Sequence, residues 1–284
     1  MQIEFKDVSF IYSPKTPYEY KALDNINLSI KEGSFTCIVG KTGCGKTTLV
    51  QELNGLLIPT SGEVIVDNYI ITSNKKRCTK KLQDLRKKVG MVFQFSENQL
   101  FEDTVLKDVM FGPRNFGIKE EEAKKIAIAS LTKVGIKEEY YEKSPFELSG
   151  GEKRRVAIAG ILALEPDILI LDEPTAGLDP LGTKEVMDLF KKMNEEGVTI
   201  ILVTHDMNLV FKYASSCVVM DDGRIEKVVT PKELFLEESE RYSLETPLIS
   251  KVTKLLIDKG MKLSLDNIKD INGLVKEIKK SYAK

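Results

Sequence analysis

The stretch Ile38–Thr48, reading I-V-G-K-T-G-C-G-K-T-T, constrains the fold of this 284-residue chain more than any other. It satisfies G-x-x-x-x-G-K-S/T, with Gly40, Gly45, Lys46 and Thr47 at the fixed positions. Such a loop cradles phosphate by turning successive backbone N–H groups inward, and a glycine-rich backbone bends that tightly. The predicted cradle is Gly40, Lys41, Thr42, Gly43, Cys44, Gly45, Lys46, Thr47 and Thr48. Within it Lys46 reaches the β- and γ-phosphates, and the Thr47 hydroxyl ligates Mg²⁺. The helix that follows aims its free N–H groups and positive dipole end at the same anion. The flanks agree. Ser34–Val39 is a short apolar run that reads as a buried strand, and Thr48–Leu53 opens a helical pattern. At this length, one large α/β domain with an extension is expected.

Other strand ends carry complementary chemistry. Asp167–Pro174 is an apolar strand ending in two carboxylates. Asp172 is placed to hold Mg²⁺ and its waters beside the P-loop, while Glu173 points elsewhere and can take a proton from attacking water. Thr199–Thr204 reads as a buried strand ending at His205, the chain's single histidine, a natural γ-phosphate contact. Val89–Phe93 ends at Gln94, whose amide suits a metal-bound water or simply the surface. Tyr12 closes the strand Ile3–Tyr12, where its ring can stack on an adenine or merely pack. Leu148–Glu152 (L-S-G-G-E) holds an S-x-x-E capping box, Ser149 to Glu152, which starts a helix. A cap does not need two adjacent glycines. Ser149, Gly150 and Gly151 therefore also read as a second anion site at a helix N-terminus.

Between these motifs, Ala22–Ile30 and Glu63–Val66 read as strands, and the basic residues 75–81 and 86–88 as a solvated loop and helix face. Helical patterns at Val105–Phe111, Glu120–Val134 and Glu152–Leu164 form a helical lobe over about 97–165. A helix follows at Thr183–Glu195, then a hairpin of Cys217–Met220 and Arg224–Val229. Near the end, Thr246-Pro247 reads as a cap with proline at the first helical position. Leu248, Ile249, Val252, Leu255 and Leu256 fall on one face, and Asp266 starts a second amphipathic stretch. The net charge of −1 weighs against a broad nucleic-acid surface. Four scattered cysteines and one histidine weigh against a structural zinc or a disulfide framework. No apolar run approaches the ~18 residues that span a bilayer, so a membrane role is expected to come through a partner.

In order along the chain stand Gly40–Thr48 as Walker A, Gln94 as Q-loop, Leu148–Glu152 as signature, Ile168–Glu173 as Walker B, Ala176–Asp179 as D-loop and His205 as H-loop. The set resembles an ABC-transporter ATPase over about residues 1–235. Phe93–Phe101, Phe111–Gly117 and Arg154–Ile161 narrow the resemblance to the ATPase subunits of energy-coupling-factor (ECF) importers, most like the A-prime paralogue. The resemblance implies an α/β P-loop NTPase fold with an N-terminal antiparallel β subdomain, a helical lobe and a small C-terminal helical extension. It places an ATPase domain at 1–240 and the extension at 241–284. ATP and Mg²⁺ would be the cofactors, with Thr47, Gln94 and Asp172 around the metal and Tyr12, Walker A and the signature residues around ATP. Two such domains would sandwich two ATP molecules, each between the Walker A of one chain and the signature of the other.

The implied partners are a second ATPase subunit (a paralogue or a second copy), a transmembrane coupling subunit and a membrane subunit that binds vitamins or transition-metal ions, with no nucleic acid. The implied location is the cytoplasmic face of the cell membrane, as a peripheral subunit. Phe95, Leu100 and Phe101 are expected to form the exposed apolar patch that receives the coupling subunit. Two departures stand out: Ser96 replaces the family's usual proline, and Glu152 its usual glutamine. A nucleotide kinase would leave Leu148–Glu152 without a task. A soluble ABC protein acting on ribosomes or DNA usually carries two ATPase domains or a long coiled-coil insertion, and this chain has neither. A conventional ABC importer ATPase is the closest alternative.

Overall fold

The computed structural model describes residues 3–80, 82–235, 242, 244–264 and 267–282. Two sheets organise it. Strands β1 (Ile3–Tyr12), β2 (Tyr20–Ile30), β4 (Ser61–Val66) and β5 (Tyr69–Ile71) form an antiparallel sheet in the order β2-β1-β4-β5. Strands β3 (Phe35–Gly40), β6 (Val89–Val92), β7 (Ile168–Asp172), β8 (Thr199–Val203), β9 (Ser216–Asp221) and β10 (Arg224–Val229) form the second, ordered β10-β9-β3-β8-β7-β6. There β3, β8, β7 and β6 run parallel, β3 also pairs parallel with β9, and β10 returns antiparallel as the expected hairpin.

The parallel strands read as unbroken apolar runs because both their faces are covered. All five residues of β7 and of β8 are buried. Their side chains alternate between two cores. Cys37, Val39, Leu169, Leu171 and Leu202 face the core shared with the helical lobe. Ile38, Ile168, Ile170, Ile201 and Val203 face the core shared with the antiparallel sheet. Helix α1 (Lys46–Leu53) follows β3, and α2 (Leu82–Lys88), which carries the basic residues 86–88, leads into β6. Lys81 lies outside the described residues.

The helical lobe is inserted between β6 and β7 as α3 (Val105–Asn115), α4 (Glu120–Lys133) and α5 (Gly150–Leu162). After β7 come α6 (Pro180–Glu195), then α7 (Met207–Tyr213), the single turn α8 (Pro231–Glu233), α9 (Leu248–Asp258) and α10 (Ile271–Tyr282).

Two expectations need correction. Leu100 is only 6% exposed and belongs to the lobe's core. A 3-10 turn at Ser96–Gln99 ends on Leu100 in extended conformation, and that turn points Leu100 inward while Phe101 stays outside. Pro247 is the N-cap of α9 rather than its first helical residue, and no side chain caps that helix. The stripe on α9 is divided: Ile249 packs against the core shared with the lobe, whereas Leu248, Val252 and Leu255 are exposed, and Ser250 and Thr253 are buried. Asp266 and the boundary drawn between 240 and 241 lie outside the described residues. Among the described residues, no helix is long and apolar enough to cross a membrane.

Candidate functional site

The C-terminal ends of β3, β6, β7 and β8 meet at one cleft, the usual ligand position in a parallel α/β sheet. Gly40, Thr42, Gly43, Gly45, Lys46, Thr47, Thr48, Gln94, Asp172, Glu173 and His205 line it. A wider cleft at the opposite ends of β6, β7 and β8 is lined by Asp67, Lys88, Glu165 and Asp167. It has no phosphate cradle, and its Lys88 already pairs with Asp67 at 3.3 Å.

The P-loop needs its glycines. Gly45 caps α1 in left-handed conformation (φ 98°), and a Cβ there would lie 2.5 Å from the Ala22 carbonyl oxygen. At Gly40 a Cβ would lie 2.1 Å from the Met220 carbonyl oxygen. No side chain caps α1, so its first N–H groups stay free for an anion. Lys46 donates to the carbonyls of Gly40 (2.9 Å) and Lys41 (2.8 Å), which holds its ammonium across the cradle. Lys41 and Cys44, predicted in the cradle, do not line the cleft: Lys41 lies 3.8 Å from Asp221, and Cys44 is buried, which raises its thiol pKa.

Asp172 ends β7 and is buried. Burial pushes its carboxyl above the ordinary aspartate range, and the neighbouring Glu173 adds to this; a hydrogen bond from Thr47 and the charge of Lys46 pull the other way. Thr47, Asp172 and Gln94 thus present a hydroxyl, a carboxylate and an amide oxygen to one cleft. This all-oxygen set fits Mg²⁺, which keeps most of its waters and takes one or two protein ligands plus phosphate oxygens. Glu173 sits at φ 49°, a left-handed conformation uncommon for a non-glycine residue that turns its side chain off the strand line. Its carboxylate accepts from the His205 backbone N–H (3.0 Å), lies 2.9 Å from His205 Nδ1, and accepts from the Thr204 hydroxyl (3.3 Å). One carboxylate is thus oriented from the neighbouring strand end by three groups.

Tyr12 does not line the cleft. Its hydroxyl shares a 3.1 Å hydrogen bond with Thr48, and its ring meets Phe10 edge-on. Its cross-strand partner Tyr20 does line the cleft and donates to the Gly43 carbonyl (3.2 Å). Sequence reasoning missed Tyr20, although the pairing of Tyr12 with Tyr20 is the signal that identifies it. Ser149, Gly150 and Gly151 are also absent from the cleft. Ser149 caps α5, accepting from the Glu152 N–H, while Glu152 accepts from the Ser149 N–H and hydroxyl and is held below the usual glutamate range. The capping box is therefore formed, and Ser149 and Gly150 remain exposed. A Cβ on Gly150 would meet nothing within 4 Å, so another molecule can approach its backbone closely.

Known proteins match this arrangement. The ABC transporter family model matches residues 23–176. The energy-coupling factor transporter ATP-binding protein EcfA2 of Streptococcus pyogenes serotype M28 (strain MGAS6180) is 50% identical over 278 residues, covering 95% of this chain and 99% of that protein. Its counterpart in serotype M5 (strain Manfredo) is 52% identical over 266 residues, covering 93% and 94%. Among solved structures, cbiO1 from Clostridium perfringens, part of the ABC transporter complex cbiONQ, superposes with TM-score 0.72 at 42% identity, covering 89% of this chain and 98% of that one. A dimeric post-hydrolysis state of the ATP-binding cassette MJ0796, bound to ADP and Pi, gives TM-score 0.72 at 34% identity, covering 81% and 98%.

Proposed function

This chain belongs to the ABC transporter ATPases, and on that premise we propose that it is the ATP-binding and ATP-hydrolysing subunit of an energy-coupling-factor importer. The EcfA2 relatives favour this over a conventional importer ATPase. ATP lies with its phosphates in the Gly40–Thr48 cradle and its base beside Tyr12 and Tyr20. Thr47, Gln94 and Asp172 would hold Mg²⁺, which supplies positive charge at the β- and γ-phosphate oxygens. Lys46 exchanges its carbonyl partners for the phosphates. Glu173 accepts the proton of the attacking water, and His205 keeps that carboxylate in register. Phosphoryl transfer needs positioning and charge stabilisation more than covalent chemistry, and this set of side chains supplies both. The partners are a second ATPase subunit and transmembrane subunits, among them a coupling protein and a membrane subunit that captures a vitamin or a transition-metal ion. The chain sits at the cytoplasmic face of the membrane. Residues 1–240 act as the ATPase domain and 241–284 as an appended helical unit.

The observation that carries this reading is the Glu173–His205 pair set over the P-loop, 2.9 Å apart. Glu173→Gln keeps the shape and removes the base, so ATP turnover falls about 10²–10⁴-fold while ATP still binds. Turnover and nucleotide binding measured on the complex with its partners check this, and wild-type turnover would remove Glu173 from the role.

A further inference from the structure

Arg154 is the fifth residue of α5, and its side chain is 2% exposed. A guanidinium stays charged at any working pH, so a buried one needs partners. Two come from segments far away in sequence. Nε lies 3.2 Å from a carboxylate oxygen of Glu97, in the 3-10 turn that follows Gln94. Nη1 donates to the carbonyl of Ala176, in the segment between Walker B and α6. The Ala176 N–H in turn donates to the Glu173 carbonyl (3.3 Å). Neither Nε nor Nη2 makes a hydrogen bond among the described residues, so Glu97 is held as an ion pair and the guanidinium has donors to spare if its neighbours move. Arg154 does not line the nucleotide cleft.

We infer that Arg154 is a positioning residue: a buried strut that joins the turn after Gln94 to the Ala176–Asp179 segment, so that a displacement of that turn reaches Glu173. The inference rests on the reading that this turn faces the membrane partner. A planar fork can grip Glu97 and Ala176 together, whereas the single ammonium of lysine cannot replace that geometry. The chain Glu97–Arg154–Ala176–Glu173 is continuous and crosses from the exposed turn to the catalytic strand end. Energetic coupling through such a chain has to be demonstrated by paired mutation.

The test compares wild type, Glu97→Gln, Arg154→Lys and the double variant in the detergent-purified complex with the membrane partners, alongside the isolated chains. Both single variants are expected to lower kcat for ATP about 10-fold or more with KM little changed, and the isolated chains to bind ATP within about twofold of wild type. The double variant should be no worse than the poorer single one, because both break the same strut. Wild-type kcat in either single variant overturns the strut. So does a loss of ATP affinity that matches the loss of rate, or losses that simply add in the double variant. If Arg154→Lys does not fold, Glu97→Gln carries the same comparison. A wild-type chain that forms no active complex overturns the proposed function itself, and the strut with it.

Discussion

At the scale of single residues, the side chain with the clearest energetic signature is one the chemistry does not use. Glu52 lies within α1, is 0% exposed, and neither of its carboxyl oxygens has a partner among the described residues. Burial alone pushes its pKa from an ordinary 4.5 to about 8. Between those values the folded chain keeps the proton and the unfolded chain loses it. Stability therefore falls as pH rises from about 4.5 towards 8. Glu52→Leu removes both the proton linkage and the unpaired polar atoms. It should stabilise the chain by about 1–3 kcal/mol at pH 8 and by less at pH 5. Urea unfolding at the two pH values reads the difference; an equal gain at both would show that Glu52 does not titrate as its burial requires. Sequence alone could not show this, because nothing in T-T-L-V-Q-E-L marks which polar residue of a helix faces inward. The same holds for Arg154, whose burial depends on three distant segments meeting. Gly40, Lys46, Asp172, Glu173 and His205 are legible because each sits at a strand end, a helix start or a loop whose local chemistry fixes its place.

Elements are legible in the sequence where periodicity is long, and not where short pieces rely on their neighbours. β1 was read to its exact ends, and the three lobe helices to within a few residues. β5 is three residues long and exists through its pairing with β4, so no local pattern announces it. The turn after Gln94 is the instructive error. Three apolar residues in a loop predict one exposed patch, yet the 3-10 turn divides them. Leu100 enters the core, while Phe95 and Phe101 remain exposed. Phe101 stacks edge-on against the partly exposed Phe111 at 4.8 Å, so the outward surface is an aromatic one. Phe95 holds a left-handed φ of 59°, uncommon for a bulky side chain and consistent with a segment shaped for function rather than for packing. Phe101→Asp should weaken capture of the membrane partner while melting temperature and ATP binding stay near wild type. Leu100→Asp should instead lower the melting temperature sharply, since it places a charge in the lobe's core. A pull-down beside a thermal melt separates the two; unchanged pull-down with Phe101→Asp would remove this surface from the mechanism.

At the scale of the whole molecule, the P-loop cleft and the start of α5, the proposed second half-site, do not meet within the chain. The P-loop cleft gathers Lys46, Asp172, Glu173 and His205, while Ser149 and Gly150 stand exposed and Gly151 half-buried at the start of α5, and none of the three lines that cleft. At this helix N-terminus the Ser149 N–H and hydroxyl donate to Glu152, while the unobstructed backbone of Gly150 is open to a phosphate brought by another chain. The outward apolar faces of α9 and α10, with Leu248, Leu255 and Ile271 exposed, likewise suit a subunit that does not work alone. If the site is completed in trans, lesions in the two half-sites must differ in a measurable way. Lys46→Ala removes the cation from the chain's own cradle, so the isolated chain should lose ATP affinity. Ser149→Arg leaves that cradle intact, so the isolated chain should bind ATP within about twofold of wild type. In the assembled dimer, Ser149→Arg should lower turnover about 10²–10³-fold, the usual cost of removing a donor aimed at developing phosphate charge. Losing the capping hydroxyl costs only about 1 kcal/mol, so the chain stays folded. Titrating nucleotide into each isolated variant and then measuring turnover in the dimer gives both readouts. If Ser149→Arg weakens ATP binding to the lone chain as Lys46→Ala does, the two motifs serve one local site and the shared arrangement fails.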